Sequence, residues 1–288
     1  MNARIPTGNR IKMVVIQGSQ YVVLVMIAVM TVVPILWAFA SSCRTNFEIG
    51  RYMSPITWRT FIPQEFTIEN YILLFTKFGF YKPFLNTMFV CVTTVFFGGL
   101  LCSLAGFAFS KYRFRFKTFL FGIVMLALMI PFEATAVPLF RLVFKLGLLD
   151  TYWALLLPAF ANGVVVFMFK QFFDNIPDSL LEAARIDRAG TLRIYCQIVM
   201  PLSKPALISG GLILFYQQFN SFMWPLIAAR TANMKVIQIA LSDFNTEFNT
   251  NWALIYAAAS ISIIVPLMLL LPLQKYFIRG ITTSGIKG

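Results

Sequence analysis

The sequence predicts an all-α membrane protein, a bundle of six transmembrane helices. Three observations lead to this prediction: the composition, the spacing of apolar segments and the placement of charge. Of the 288 residues, 59% are hydrophobic and only 12% are charged, and the mean hydropathy is +0.76. A water-soluble chain of this composition would lack the polar side chains needed to cover its surface. The composition therefore favours a lipid bilayer as the surroundings of the fold.

Six apolar segments are long enough to cross a bilayer, whose hydrocarbon core takes about 20 residues of helix. They are residues 20–42, 84–109, 118–137, 153–173, 205–228 and 252–273. The first is too long for the apolar core of a signal peptide and lacks a small-residue cleavage site, so it is expected to remain as the first helix. Six spans place both termini on one side of the membrane, and residues 1–288 are expected to form a single transmembrane domain.

Basic residues are concentrated in every second connection. The N-terminus, the loop 110–117, the segment 170–204 and the tail after residue 273 together hold 15 Lys and Arg against 4 Asp and Glu, whereas the other connections hold 9 against 6. Because positive residues are retained in the cytoplasm, both termini are expected there. This topology also explains the net charge of +13, so a nucleic-acid partner is not expected. The connections expected on the outer side are 43–83, 138–152 and 229–251.

Residue types that carry metal or nucleotide chemistry are missing from the sequence. It contains no histidine, its four cysteines (Cys43, Cys91, Cys102 and Cys196) have neither metal-ligand nor disulfide spacing, and no G-x-x-x-x-G-K-[ST] phosphate loop occurs. A membrane enzyme would need a clustered catalytic set, which we do not find. The chain is therefore expected to have no catalytic residue and no cofactor of its own.

The long cytoplasmic connection, residues 174–204, predicts a helical hairpin. Pro177 breaks the preceding helix, and Ser179 and Glu182 have the spacing of a capping box at the start of a new one. A helix with small side chains suits docking to a partner protein. The alternative is that the glutamate only caps the helix and the alanines after it only favour helix formation.

The expected turn of the hairpin lies near Gly190. The first helix is expected to continue to Ala189, with Gly190 in the left-handed conformation that commonly ends helices. Thr191 is then expected to cap a second helix over residues 192–200, which ends at Pro201.

The run from Leu181 to Asp187, followed by residues 198–202, closely resembles the EAA loop of binding-protein-dependent ABC importer permeases. The resemblance implies that this loop is a coupling helix, which sits in a groove of a cytoplasmic ATPase and transmits its closure to the membrane helices. The residues to which the resemblance assigns this coupling are Glu182, Ala183, Ala184, Ile186, Asp187 and Gly190.

Further segments resemble the carbohydrate branch of that family, in the class of the smaller maltose-transporter permease. They are residues 219–226 and the tail 274–288, with weaker matches at 69–71 and 85–87. The resemblance implies a type I importer fold, a second homologous permease as heterodimer partner, an ATPase dimer that binds ATP and Mg²⁺, and an extracytoplasmic solute-binding protein. It also implies the bacterial inner membrane, with lipid around the bundle.

One position departs from the family pattern. The family usually has glycine directly after the aspartate, whereas this chain has Arg188 there and the glycine two residues later, at Gly190. Either the turn is displaced by two residues or the docking geometry differs.

The fifth apolar segment carries a cluster of polar and aromatic side chains suited to a sugar: Tyr216, Gln217, Gln218, Asn220, Ser221 and Trp224. Polar groups in a membrane helix usually face protein or water, because lipid leaves them unsatisfied. Two interpretations remain open: these side chains line the substrate pathway, or they hold the two permeases together.

The third apolar segment contains Pro131, Glu133 and Pro138, which predict a kinked helix beside a cavity. Glu133 has two interpretations. It faces the pathway, as intramembrane acids often do, or it lies near the outer end of its helix and pairs with Arg141 or Lys145.

The leading functional prediction is a permease subunit for a sugar or oligosaccharide. A permease for glycerol phosphate or a sugar acid is the alternative, but an anionic solute would favour basic residues inside the bundle, and none is securely placed there. An ion-coupled secondary transporter would need intramembrane acids or repeats, for which Glu133 is the only candidate.

Overall fold

The computed structural model describes residues 7–245 and 250–285, with side chains described over 17–245 and 250–275, and every regular element in this part is a helix. Residues 246–249 of the predicted outer connection lie outside the described residues. So do residues 286–288, the end of the tail that resembles the carbohydrate permeases. The described chain forms two compact units, residues 1–77 with 244–261 and residues 78–243 with 262–288.

The first unit begins with the long helix α1 (Thr7–Ser42), of which Gln17–Ser42 is long and apolar enough to cross a membrane. The connection 43–83, expected as a loop, contains two further helices, α2 (Asn46–Arg51) and α3 (Glu69–Thr76), and a 3₁₀ turn (Trp58–Thr60).

This connection is folded around a buried arginine, Arg44, of which 1% is exposed. Its guanidinium donates hydrogen bonds of 2.8 Å to the carbonyls of Thr60 and Arg59 and lies 3.6 Å from the carboxylate of Glu48. Asn70 donates bonds of 2.9 and 2.7 Å to the carbonyls of Ser42 and Arg44. These bonds tie the connection to the end of α1.

The second unit contains the elements that form the candidate sites. In chain order they are α4 (Tyr81–Thr93), α5 (Gly99–Lys111), α6 (Lys117–Met129), α7 (Phe132–Lys145), α8 (Tyr152–Phe160), α9 (Gly163–Asp174), α10 (Asp178–Ile186), α11 (Thr191–Ile194), α12 (Met200–Leu202), α13 (Lys204–Phe219), α14 (Met223–Ala228) and α15 (Ile237–Ser242). A π-helical turn (Thr94–Gly98) joins α4 to α5, and another (Tyr195–Val199) joins α11 to α12. The last helix, α16 (Trp252–Gly285), begins in the first unit and ends in the second.

Four helical segments in the described residues are long and apolar enough to span a membrane: Gln17–Ser42, Tyr81–Lys111, Tyr152–Asp174 and Trp252–Lys275. Two further segments are bent pairs of helices, Lys117–Met129 with Phe132–Lys145 at 106° and Thr191–Leu202 with Lys204–Phe219 at 84°. The described residues therefore contain four candidate spans, or up to six if each bent pair counts as one.

The third and fifth apolar segments are not continuous helices. The predicted kink in the third is a complete break, because Pro131 has no amide hydrogen and holds Ile130 extended (ψ 118°). Helix α7 then continues to Lys145, into the expected outer connection 138–152. The fifth segment, expected as one helix over 205–228, is interrupted between Phe219 and Met223.

Glycines allow the helices of the second unit to pack very closely. A Cβ atom on Gly106 in α5 would lie 2.6 Å from the Cβ of Phe169 in α9. One on Gly210 in α13 would lie 2.9 Å from the Cε of Met168 in α9. The buried cluster around Phe169 and Phe173 extends to Leu181 and the other apolar residues of the hairpin, so it positions residues 178–202.

Candidate functional site

The hairpin of residues 178–202 begins differently from the sequence prediction. Helix α10 starts at Asp178 with Pro177 as its N-cap and no side-chain cap, so the capping box predicted for Ser179 and Glu182 is wrong. The reason is that Pro177, with φ fixed at −58°, sets the helix start, and Ser179 already lies inside the first turn. The first-turn carboxylate of Asp178 instead accepts a hydrogen bond from Lys111.

The turn of the hairpin is formed by Arg188, in the left-handed conformation with φ 57°. Its amide donates to the carbonyl of Arg185 at 3.0 Å, and the amide of Ala189 donates to the carbonyl of Ala184 at 2.9 Å. These two bonds form a Schellman motif. The left-handed residue is thus the one in the family's glycine position, and the turn is not displaced.

The predictions for Ala189 and Gly190 are therefore wrong. Helix α10 ends at Ile186, and Gly190 is extended, with φ −68° and ψ 161°, as the N-cap of α11. Thr191 is the first residue of α11 instead of its cap. The second helix was predicted over 192–200 and is found over 191–202, with the π turn in its middle.

The residues predicted to couple to an ATPase differ in exposure. Ala184 is buried, with 8% exposed, and packs in the cluster that includes Leu181, whereas the other five candidates are exposed: Glu182, Ala183, Ile186, Asp187 and Gly190. The large apolar side chains of the hairpin with the greatest exposure are Ile186, 81% exposed, and Leu192, 72% exposed. The hairpin therefore offers both apolar and charged groups for a protein contact, while Ala184 holds it in place.

Two consecutive residues at the end of α5 hold the hairpin. Lys111 donates a 2.6 Å bond to the carbonyl of Ile176 and a 2.7 Å bond to the carboxylate of Asp178. The Tyr112 hydroxyl donates a 3.0 Å bond to the hydroxyl of Thr191. The hydrogen bond from Lys111, its charge, and the charges of nearby arginines lower the pKa of Asp178. No local sequence pattern predicts these contacts of Lys111 and Tyr112.

A second candidate site is a cavity of about 320 Å³ in the second unit, hereafter the polar cavity. It lies where the broken helices meet, and its lining residues are Thr94, Phe132, Thr135, Leu139, Leu155, Pro158, Ala159, Asn162, Leu214, Gln217, Gln218, Ser221 and Trp224. None of these side chains carries a charge. A larger groove of about 600 Å³ elsewhere in the unit is lined almost entirely by apolar side chains, so it offers little to a hydroxyl-rich solute.

Asn162 organises one wall of the polar cavity. Its side-chain amide donates a 2.5 Å bond to the Gln217 carbonyl oxygen, and its own oxygen accepts a 3.1 Å bond from the amide of Val165, which caps α9. Asn162 was missed in the sequence analysis, although the Asn-Gly pair of Asn162 and Gly163 within an apolar segment is a turn signal. Thr135 and Thr94 were also missed, because no local pattern distinguishes them.

Several polar groups of the polar cavity have no protein partner within the described residues. They are the Gln217 amide nitrogen, the Gln218 amide and the Ser221 hydroxyl, and the hydroxyl of the fully buried Thr94 also lacks a partner there. A solute with hydroxyl groups would supply the missing donors and acceptors.

Two aromatic rings complete the lining. Phe132 and Trp224 lie edge to face, with ring centroids 6.3 Å apart. The indole N–H of Trp224 donates a 2.8 Å bond to the carbonyl of Ala154 and is therefore not available to a solute. Trp224 contributes its ring to the polar cavity, and its N–H joins α14 to α8.

Three of the residues predicted for the pathway do not line the polar cavity: Tyr216, Asn220 and Glu133. Asn220 is exposed and donates a 2.9 Å bond to the carbonyl of Tyr216. Glu133 is exposed on α7, and the ion pairs of the described residues do not include it. Of its two interpretations, the one that pairs it with Arg141 or Lys145 is therefore wrong. The polar cavity thus brings together Gln217, Gln218, Ser221 and Trp224 from the predicted set. The described residues also contain no group of His, Cys, Asp and Glu that could hold a metal ion.

Comparison with known proteins identifies the family. Residues 98–283 match the family model described as "Binding-protein-dependent transport system inner membrane component". The chain is 35% identical over 263 residues to the arabinooligosaccharides transport system permease protein AraQ of Halalkalibacterium halodurans, covering 91% of this chain and 93% of the relative. It is 30% identical over 288 residues to the glucose import system permease protein GlcU of Saccharolobus solfataricus, covering 96% and 97%.

A third relative is the sn-glycerol-3-phosphate transport system permease protein UgpE of Rhizobium meliloti, with 30% identity over 269 residues, 92% of this chain and 95% of the relative. Among solved structures, the fold matches a chain of a bacterial ABC transporter involved in the import of the acidic polysaccharide alginate. The TM-score is 0.81 at 24% identity, and the match covers 96% of this chain and 100% of that one. The chain therefore belongs to the family of binding-protein-dependent transport inner membrane components, the non-catalytic permease subunits of ABC transporters.

Proposed function

We propose that this chain is the permease subunit of an ATP-driven, binding-protein-dependent importer for a neutral sugar or oligosaccharide, and that the polar cavity is part of its translocation pathway. The observation that carries the proposal is the lining of the polar cavity: uncharged donors and acceptors without partners among the described residues, beside two aromatic rings. Hydroxyl groups of a sugar pair with such amides, and its apolar ring face packs on aromatic carbon. The names of the arabinooligosaccharide and glucose relatives agree with this class of solute.

The proposed topology has six spans, with each bent helix pair counted as one, and both termini in the cytoplasm. The hairpin of residues 178–202 then lies on the cytoplasmic side, where the basic residues are concentrated. Residues 1–288 form a single transmembrane domain surrounded by lipid, and a second, homologous permease completes the pathway as a heterodimer.

In this proposal the hairpin docks into an ATPase subunit. Its exposed residues Glu182, Ala183, Ile186, Asp187 and Gly190 form the contact, while Ala184 supports it from inside. ATP and Mg²⁺ are bound by the ATPase dimer, and an extracytoplasmic solute-binding protein delivers the sugar. Closure of the ATPases shifts the permeases between inward-facing and outward-facing states. Such a shift requires that the ATPases bind the two states with different free energies.

An anionic solute such as glycerol phosphate is the second candidate, because UgpE relatives share about the same identity as GlcU. Phosphate is usually bound by arginine, lysine or helix N-termini. Among the residues that the structure describes, no charged side chain lines the polar cavity, which favours the neutral solute. An ion-coupled transporter has weaker support still, since Glu133 does not line it.

Co-purification and uptake test the proposal. The tagged chain, isolated from its native host, is expected to bring an ATPase subunit and a second permease, and depletion of ATP is expected to stop uptake of the sugar. Glu182→Lys is expected to abolish both ATPase association and uptake while membrane insertion persists, because the exposed carboxylate lies on the docking surface. Gln171→Lys, an exposed change outside the hairpin, is the control. Uptake that continues without ATP would contradict the proposal.

A further inference from the structure

The helical segment Tyr81–Lys111 connects the two candidate sites. At one end, Lys111 and the residue after it bond to the hairpin of residues 178–202. Further along, Thr94 lines the polar cavity. Between these points the helix is continuous, through the π turn Thr94–Gly98 and α5. One stiff element thus contacts both the hairpin and the cavity wall.

Lys111 makes two short, charge-assisted hydrogen bonds where the hairpin begins. Only 6% of its side chain is exposed, and its ammonium donates both to a backbone carbonyl and to a carboxylate, at 2.6 and 2.7 Å. Charge-assisted bonds of this length are about twice as strong as neutral ones. The partners, Ile176 and Asp178, flank Pro177 at the start of α10, so Lys111 fixes the point where the hairpin begins.

The neighbouring residue fixes the other helix of the hairpin. Tyr112 bonds the hydroxyl of Thr191, the first residue of α11. The loop that carries Tyr112 is itself braced, because the ammonium of Lys117 donates to the carbonyls of Ser110 and Tyr112 at 3.2 and 2.9 Å. The first residue of α10 is therefore held by the last residue of α5, and the first residue of α11 by the residue that follows α5.

A third polar contact joins the same two parts of the chain and is buried within the second unit. The hydroxyls of Ser103 in α5 and Tyr195 in the π turn of the hairpin lie 2.7 Å apart and are buried. The close approach at Gly106 adds direct packing of α5 on α9. The hairpin thus does more than link α9 to α13 along the chain, because it is also bonded to α5, which is distant in sequence.

We propose that Lys111 is a positioning residue, which joins the hairpin to the segment Tyr81–Lys111 so that a displacement of the hairpin by the ATPase moves the wall of the polar cavity at Thr94. This inference rests on the proposed coupling role of the hairpin. It assigns the transmission to a helix that does not flank the hairpin in sequence. Tyr112 serves the same purpose through a weaker, neutral hydrogen bond.

The test measures solute transported per ATP hydrolysed. The complete transporter, with its native second permease, ATPase and solute-binding protein, is reconstituted in proteoliposomes. Lys111→Met keeps an apolar stem of similar length and removes the charge. We expect it to retain the ATPase subunits and ATP hydrolysis but to transport about tenfold less solute per ATP, a factor within the usual range of coupling between sites.

Two further variants separate positioning from folding. Lys111→Arg keeps the charge and is expected to restore most of the transport per ATP. Tyr112→Phe keeps the ring, which packs edge to face on Phe107, and removes only the hydroxyl that bonds Thr191. Since this change leaves the packing intact, we expect normal assembly and a smaller loss of coupling, about twofold to threefold as one neutral hydrogen bond would give.

Two outcomes would overturn the inference. One is unchanged transport per ATP in both Lys111→Met and Tyr112→Phe. The other is loss of ATPase association in Lys111→Met together with normal coupling in Tyr112→Phe, which would show a purely structural role. Glu182→Lys, measured in parallel, tests the docking itself. If that variant keeps its ATPase and its uptake, the proposed function fails, whereas normal coupling in the Lys111 and Tyr112 variants alone refutes only the present inference.

Discussion

The amide of Ala189 donates a 2.9 Å hydrogen bond to the carbonyl of Ala184 and closes α10 across a left-handed arginine, Arg188. Only glycine adopts this conformation without a steric penalty, which for other residues is about 1–2 kcal/mol. The hairpin therefore has a turn of the kind that glycine favours, with an arginine in the left-handed position.

Arg188→Gly is accordingly expected to stabilise the hairpin by roughly 1 kcal/mol, because the left-handed conformation no longer strains a side chain. The measurement is hydrogen exchange of the backbone amides of residues 184–191 in the purified complex, which should slow. Arg185→Gly is the matched control: the same change inside α10 should destabilise that helix by about 1 kcal/mol. Faster exchange in Arg188→Gly would contradict the assigned conformation.

The ion pair of Asp178 with Lys111 predicts a pH dependence. Since the pKa of Asp178 is lowered in the folded protein, the pair stabilises the hairpin at every pH above the unfolded value of about 3.9 and is lost as the pH falls through the lower, folded value. Asp178→Asn is expected to reduce the protection of the hairpin amides against hydrogen exchange at neutral pH. At a pH below the folded pKa of Asp178, the variant and the wild type should show the same protection. Equal protection of both proteins at pH 7 would exclude this contribution.

Ala184 is buried whereas the adjacent Ala183 is exposed, so the same substitution is expected to have different effects at the two positions. Ala184→Asp places a carboxylate among buried apolar residues and should cost several kcal/mol, with loss of the folded complex. Ala183→Asp places the same group in solvent and should leave folding intact while it weakens ATPase association. The measurements are thermal stability and the amount of co-purified ATPase. Similar stability of the two variants would contradict the assigned burial.

Gln218→Leu tests the substrate pathway, since it removes an amide without a protein partner in the described residues and keeps the size of the side chain. Uptake in proteoliposomes with saturating binding protein should show a KM increased about fivefold, the effect of one lost hydrogen bond. The control is Asn220→Leu, whose amide bonds Tyr216 outside the polar cavity. Weakened association of the two permeases in Gln218→Leu, with unchanged KM, would instead support the interpretation that these residues hold the subunits together.

Arg44 organises the connection 43–83, and its removal is expected to loosen that connection. Burial lowers the pKa of Arg44, while the nearby Glu48 carboxylate acts in the opposite direction. Arg44→Met leaves Glu48 buried without its countercharge and should cost about 3–5 kcal/mol. Adding Glu48→Gln removes the uncompensated charge and should recover part of the loss. The rate of protease cleavage between residues 45 and 66 measures the loss in Arg44→Met and the recovery in the double variant. Equal cleavage of the wild type and Arg44→Met would contradict the role of the ion pair between Arg44 and Glu48.

The sequence predicts the helical class and the apolar segments well, because both depend on composition along the chain. Pro131 also predicts an interruption of the third segment. The sequence does not predict whether the helix is kinked or broken at Pro131, since that depends on how the helices on either side of it pack. The same limit applies to the hairpin: Gly190 has the higher intrinsic preference for a left-handed turn, but burial of Leu181 and Ala184 fixes the phase of α10 and places the turn at Arg188.

The sequence predicts some of the residues that line the polar cavity but not others. Gln217, Gln218 and Ser221 are adjacent in sequence and conspicuous in an apolar segment. Thr94 and Asn162 join them only through the tertiary fold, because they come from segments more than 50 residues away in sequence. Periodicity within one segment carries no information about which segments meet.

The positions of the glycines and of the helix breaks suggest how this permease can diversify. At Gly106 an added methyl group would lie 2.6 Å from the Cβ of Phe169 and 3.0 Å from the backbone nitrogen of Lys170, so this position tolerates little change. Around the polar cavity the backbone is already interrupted, and single side chains project from the ends of separate helices. If the polar cavity binds the solute as proposed, individual substitutions there can change the solute preference without disturbing the close packing of α5 on α9.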